Sequence, residues 1–182
     1  MTRLNRQTTQ AIRQWLKKYN FDSKCQLGND FECIPDTHTI IVNRNYNSYA
    51  DTEFMHCLRN LGLKYNFDCI TLSVLHELGH SETEHLFSED DWAICAVQKF
   101  VLYDKSSTMP FETYINKYWE IKDEKMANIW LVNYVNNFAE NVAELEKNLE
   151  KIDEEVIEKL NLRNLFNNKY KFTWNLHFLT QP

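Results

Sequence analysis

A chain of 182 residues with 43% hydrophobic and 25% charged residues is long enough to bury one well-packed core, and its composition is far from that of a disordered protein. Gly and Pro occur three times each, too few to supply the turns of a many-stranded sandwich or barrel, so helices should dominate. A formal charge of −6 argues against nucleic acid as partner, because phosphate-backbone binders usually present a basic face that releases counterions.

The opening MTRLNRQTTQAIRQWLKKYN has no apolar stretch resembling a signal peptide. Its Ile12, Trp15, Leu16 and Tyr19 form a helical stripe with basic residues on the other face. In CQLGNDFECIPDTHTIIVN, short apolar runs are separated by Gly28-Asn29-Asp30 and Pro35-Asp36-Thr37, which predicts two hairpin turns joining three short antiparallel strands. The last run places His38 at the start of an expected edge strand. Helical period returns at Phe54, Cys57, Leu58 and Leu61, with Gly62 as a natural stop and His56 on the same amphipathic segment.

Beyond the run CITLSVLHELGHSETEHLF, Ser88 and the acids after it should cap and charge a helix through about residue 103, with Trp92, Cys95, Ala96 and Phe100 facing inward. From 111 to 181 there is neither Gly nor Pro, and helix is again the expectation. Leu131, Val135, Phe138, Val142, Leu145, Leu149, Ile152 and Val156 step by fours and threes. This is a heptad seam, open to two explanations: packing within the domain, or partner or self-association through a coiled coil. The alternating YKFTWNLHF at 170–178, which includes His177, reads as a late strand or a fold-back onto the core. The five cysteines contain no CxxC pair and are odd in number, as in a protein with reduced core thiols. No segment approaches a membrane span, so the expectation is a soluble, cytoplasmic protein forming a single domain over residues 1–182.

The chemistry concentrates in HELGH. On a helix, His76 and His80 project from one face and can give two imidazole nitrogens to one zinc ion, while Glu77 can reach a water on it. In such sites the ion lowers the water pKa to about 7 and the glutamate takes its proton during attack on a carbonyl. Gly79 inside the helix costs about 1 kcal/mol against Ala, which makes sense if something must approach the backbone closely. A third ligand is needed. Glu84 lies too far along the helix axis, about 9 Å from the midpoint of the histidine pair, and His85 lacks the preceding glycine turn of the metzincin pattern. Glu124, in WEIKDEKMANIWLVNYV, is the better candidate: Asp123 can cap a helix there, and Glu124 would project from its first turn. An ordinary first-turn acid is the competing explanation.

HELGH, a strand region ending in THTIIVN, and the later Glu124-Lys-Met-Ala127-Asn128 together resemble the small HExxH gluzincins, specifically ImmA/IrrE-type metallopeptidase domains found in bacteria, mobile elements and phages. The resemblance spans about residues 25–135, leaving 136–182 as a helical extension. It implies a mostly helical α+β zincin-like domain with a small antiparallel sheet, to which the stretch free of Gly and Pro adds a long C-terminal helical region. It also implies one zinc ion held by His76, His80 and Glu124, with Glu77 as general base. Substrate would add itself as a strand beside the edge near 40–43. The oxyanion donor stays open among Tyr114, Tyr118, Tyr134 and His85.

Two functions follow as expectations. The first is a zinc-dependent peptidase hydrolysing a peptide bond in an intracellular protein. The second is a binding or inhibitor protein in which zinc braces the fold and a helical surface engages the partner.

Overall fold

The computed structural model describes residues 3–28, 31–42 and 51–152. These form a mostly helical α+β fold with one small sheet, in the order α1 (Arg3–Lys18), β1 (Lys24–Leu27), β2 (Glu32–Ile34), β3 (Thr39–Val42), α2 (Asp51–Asn60), α3 (Cys69–Thr83), α4 (Glu89–Asp104), α5 (Phe111–Trp119) and α6 (Lys122–Asn137). Residues 139–152 are again helical. Val156, His177 and the 170–178 stretch lie outside the described residues.

The stripe expected on α1 is buried, with Ile12, Trp15 and Leu16 at most 1% exposed. Two helices stop by the same device. After α1, Asn20 takes a left-handed φ of 61°, and the amides of Asn20 and Phe21 return to the carbonyls of Lys17 and Leu16. After α2, Gly62 at φ 94° and Leu63 do the same to Arg59 and Leu58. Both are Schellman motifs that satisfy end carbonyls. Gly62 is the stop expected from sequence.

The sheet corrects the expectation of an all-antiparallel arrangement. Its order is β1-β3-β2, with β1 parallel to β3 and β2 antiparallel to β3. Among the described residues only the Pro35–Thr37 turn makes a hairpin, between β2 and β3. β3 is therefore central rather than an edge, and the open edges among the described residues belong to β1 and β2. The cause is composition: TIIV is apolar along its whole length and is buried at Thr39, Ile40 and Val42, whereas Glu32 and Ile34 of β2 are exposed. A strand buried on both faces wants neighbours on both sides.

α3 runs between this sheet and α6 and is buried nearly all round. Asp68 caps it, accepting from the Ile70 amide at 2.9 Å. The crossing with α6 leaves no room for a side chain at Gly79, where a Cβ would sit 2.7 Å from the Ala127 carbonyl oxygen and 3.0 Å from its Cα. Gly79→Ala should therefore force the helices apart, since overpacking costs about 1–3 kcal/mol against about 1 kcal/mol gained in helix propensity. A lowered midpoint in thermal unfolding, together with weaker metal binding, is the expected outcome.

α4 begins with the expected Ser88 cap, here a capping box with Asp91. Its inner face is not the expected one. Cys95 and Leu102 are buried, but Ala96 is exposed and Phe100 is 72% exposed. Apolar residues occur on every side of this helix, so periodicity cannot select a face, and the inward stripe of 95, 99 and 102 has a lysine at its centre. α6 also departs from expectation at its start: Ile121 occupies the N-cap position, and Asp123 is buried instead of capping.

The heptad seam is broken at Phe138, which leaves helical geometry and is 51% exposed. Val142, Leu145 and Leu149 lie at 0–1% exposure in the same core as Ile12, Trp15, Leu75 and Leu131. Of the two explanations for the seam, these residues follow the intramolecular one. All five cysteines are free.

Candidate metal centre

α3 presents His76 and His80 one turn apart, and the first turn of α6 brings Glu124 to them. The three residues are 5%, 7% and 2% exposed, and one ligand atom from each lies within 4.8 Å of the others. Glu124 Oε2 is 3.0 Å from His76 Nε2 and 3.6 Å from His80 Nε2, and the two imidazole nitrogens are 3.2 Å apart. Two nitrogens and one carboxylate oxygen converging on one point form a donor set suited to a divalent ion. Glu84 does not join them: it lies in a short 3-10 turn after α3, with Oε2 3.4 Å from His38 Nε2.

His76 is oriented from behind. Its Nδ1 donates to Asn128 Oδ1 at 2.8 Å, so that loss of the proton on Nε2 leaves a lone pair there facing Glu124 and His80. Asn128 is fully buried and sits one turn beyond Glu124 on α6, so one helix supplies both the carboxylate and the support for the histidine. Phe54 and Trp119 pack edge-on against the His76 ring, at 5.7 and 5.6 Å between centroids. Asn128→Ala is expected to weaken metal binding by about 10–100-fold, measured by competition with a chelator, while leaving the helical content unchanged.

The electrostatics match this arrangement. Burial works against the charge on Glu124, but the hydrogen bond from His76 and the nearby His80 imidazole outweigh it and hold the carboxyl well below its ordinary range. Burial likewise opposes charge on His76, and contact with Glu124 outweighs it, so the imidazole titrates above its usual value. Glu77, 8% exposed, behaves oppositely: burial raises its pKa, and the nearby histidines only partly offset this.

A second group of polar residues surrounds Glu124. Lys99 Nζ lies 2.5 Å from both Asp123 Oδ2 and Glu124 Oε1, and the Tyr118 hydroxyl donates to Glu124 Oε1 at 2.8 Å. Of the four residues expected as oxyanion donors, Tyr118 alone touches the donor cluster. Tyr134 stacks on Trp130 with centroids 5.1 Å apart, Tyr114 packs in a separate cluster around Cys95 and Leu102, and His85 is exposed. His38, at φ 47°, hydrogen-bonds Ser81 Oγ through Nδ1 at 2.8 Å and ties the sheet to α3; His56 is exposed on α2.

Lys99 and Asp123 had no signal in the sequence as site residues, and Asn128 was visible only as a motif letter. The single cue available for Asn128 was its spacing of four from Glu124, which places both on one helical face. Comparison of the chain with known protein families, with curated proteins and with solved structures finds no match.

Proposed function

We propose that the chain is a zinc-dependent peptidase of the ImmA/IrrE-like gluzincin type, acting on peptide bonds in proteins. The observation that carries this reading is the buried convergence of His76, His80 and Glu124 beside Glu77. Two imidazoles and one carboxylate suit zinc, which would supply a Lewis acid that acidifies a water and polarises a carbonyl.

The remaining work falls to the protein. Glu77 accepts the proton of the attacking water and passes it to the leaving amine, and its burial-raised pKa brings it closer to the operating pH than a solvated glutamate. Asn128 holds His76 in register, and the Phe54 and Trp119 rings keep that side of the site dry. β2 is one of the two open strand edges among the described residues, and the one we assign to an extended substrate. β2 packs against α3, so a peptide pairing along β2 would lie beside the helix that carries Glu77. No helix among the described residues is long and apolar enough to cross a membrane.

A metal-loaded sample incubated with a proteome-derived peptide library and read by mass spectrometry tests the proposal. New N-termini that appear with wild type and not with Glu77→Gln support it; identical product sets from the two proteins overturn it. The second reading, a metal-braced binding protein, is favoured by one observation, the exposed apolar side chains of Val97, Phe100 and Tyr103 on α4 at 62–72%. Biological activity that survives Glu77→Gln would support that reading instead.

A further inference from the structure

Glu124 uses its two oxygens differently. Oε2 faces the two imidazoles, while Oε1 points away and takes hydrogen bonds from Lys99 and Tyr118. These donors come from α4 and α5, elements that carry none of the three candidate ligands. Lys99 is itself anchored: Asp123 Oδ2 holds its ammonium at 2.5 Å, and the ammonium sits 5.6 Å from the centre of the Tyr118 ring. Asp123 and Glu124, adjacent in the first turn of α6, thus share one cation.

We propose that Lys99 and Tyr118 are positioning residues that reserve Oε1, so that Glu124 offers a metal ion a single oxygen and the ion keeps a coordination position for water and substrate. The inference rests on the metal-centre reading above. A free carboxylate can chelate an ion through both oxygens. One whose second oxygen already accepts a charge-assisted bond and a hydroxyl bond would have to surrender both to do so. Fixing the carboxylate's rotation also sets where Oε2 lies relative to the histidines. Asp123 is the outermost link, since it holds the lysine that holds the ligand.

A merely structural Lys99 would neutralise buried carboxylates without affecting coordination, and cobalt(II) distinguishes the two roles because its visible absorption is much stronger at four-coordinate than at five-coordinate sites. The experiment adds cobalt(II) to the full-length, chelator-treated chain for wild type, Lys99→Met, Lys99→Arg and Tyr118→Phe. Wild type should give the intense four-coordinate spectrum. Lys99→Met should fall to half that intensity or less and bind cobalt about tenfold more weakly, Tyr118→Phe should show a smaller fall, and Lys99→Arg should restore the wild-type band. Unchanged bands in Lys99→Met and Tyr118→Phe overturn the inference. If Lys99→Met does not fold, Tyr118→Phe decides by itself, an unchanged band again overturning it. A wild-type chain that takes up no cobalt refutes the metal centre itself, which is a different failure.

Discussion

Glu77→Gln is expected to keep its full complement of zinc and to lose about 10²–10⁴-fold in kcat, the usual worth of a positioned general base. The separation of the two effects follows from the geometry. Glu77 shares α3 with His76 and His80 but is not one of the three converging ligands, so the amide should leave the donor set intact. It removes the one group beside the site whose carboxyl burial has made more basic. Zinc content by atomic emission and turnover of a cleaved peptide, measured on the same sample, check both halves. Loss of zinc would place Glu77 among the ligands, and retained turnover would remove it from catalysis.

The second large effect concerns the ligands. At free zinc a thousandfold above the dissociation constant, binding should add about 4 kcal/mol to stability, which for a chain of this size is about 8–16 °C in Tm. His76→Ala, His80→Ala and Glu124→Ala should each abolish that rise. The size of the rise in wild type should depend on pH. In chelator-treated protein the folded-state pKa of Glu124 is depressed, so its contribution is present above about pH 4.5 and fades as pH falls further. The folded-state pKa of His76 is raised, so its contribution is complete below about pH 6.5 and fades as pH climbs through the higher folded value. The His76–Glu124 pair therefore stabilises the stripped protein most between these limits. Zinc must displace the His76 proton, so the zinc-induced rise in Tm should grow from pH 6 to pH 8. Calorimetric scans at several pH values, with and without zinc, check the trend. An equal rise at every pH would mean that the ion binds elsewhere.

Much of this site was legible in the sequence because its spacing is dictated by helix geometry. Two histidines four apart must share a face, and Gly79 announced a close approach, which the Ala127 backbone supplies. Glu124 was reachable through a short motif, and the structure brings it to the histidine pair. Features that depend on which surfaces meet were not legible. Lys99 reads in one dimension as a solvated residue on an apolar helix, and it turns inward only because two carboxylates from a distant segment await it. Periodicity assigned that side of α4 to Phe100 instead. The sheet failed for a similar reason: turn residues between adjacent runs suggested hairpins, but pairing followed the most apolar strand, which took the centre and left its sequence neighbours on either side.

The crossing at Gly79 and Ala127 lies within the same two helical turns as the ligands, since 79 falls between 76 and 80 and 127 between 124 and 128. Main chain meeting main chain thereby sets the aperture into which any ion must fit. In a saturation library selected for function, these two sites should tolerate replacement as poorly as the donors do, although neither contributes a single coordinating atom. Intolerance of that kind would register the spacing between two helices, with no chemistry of its own.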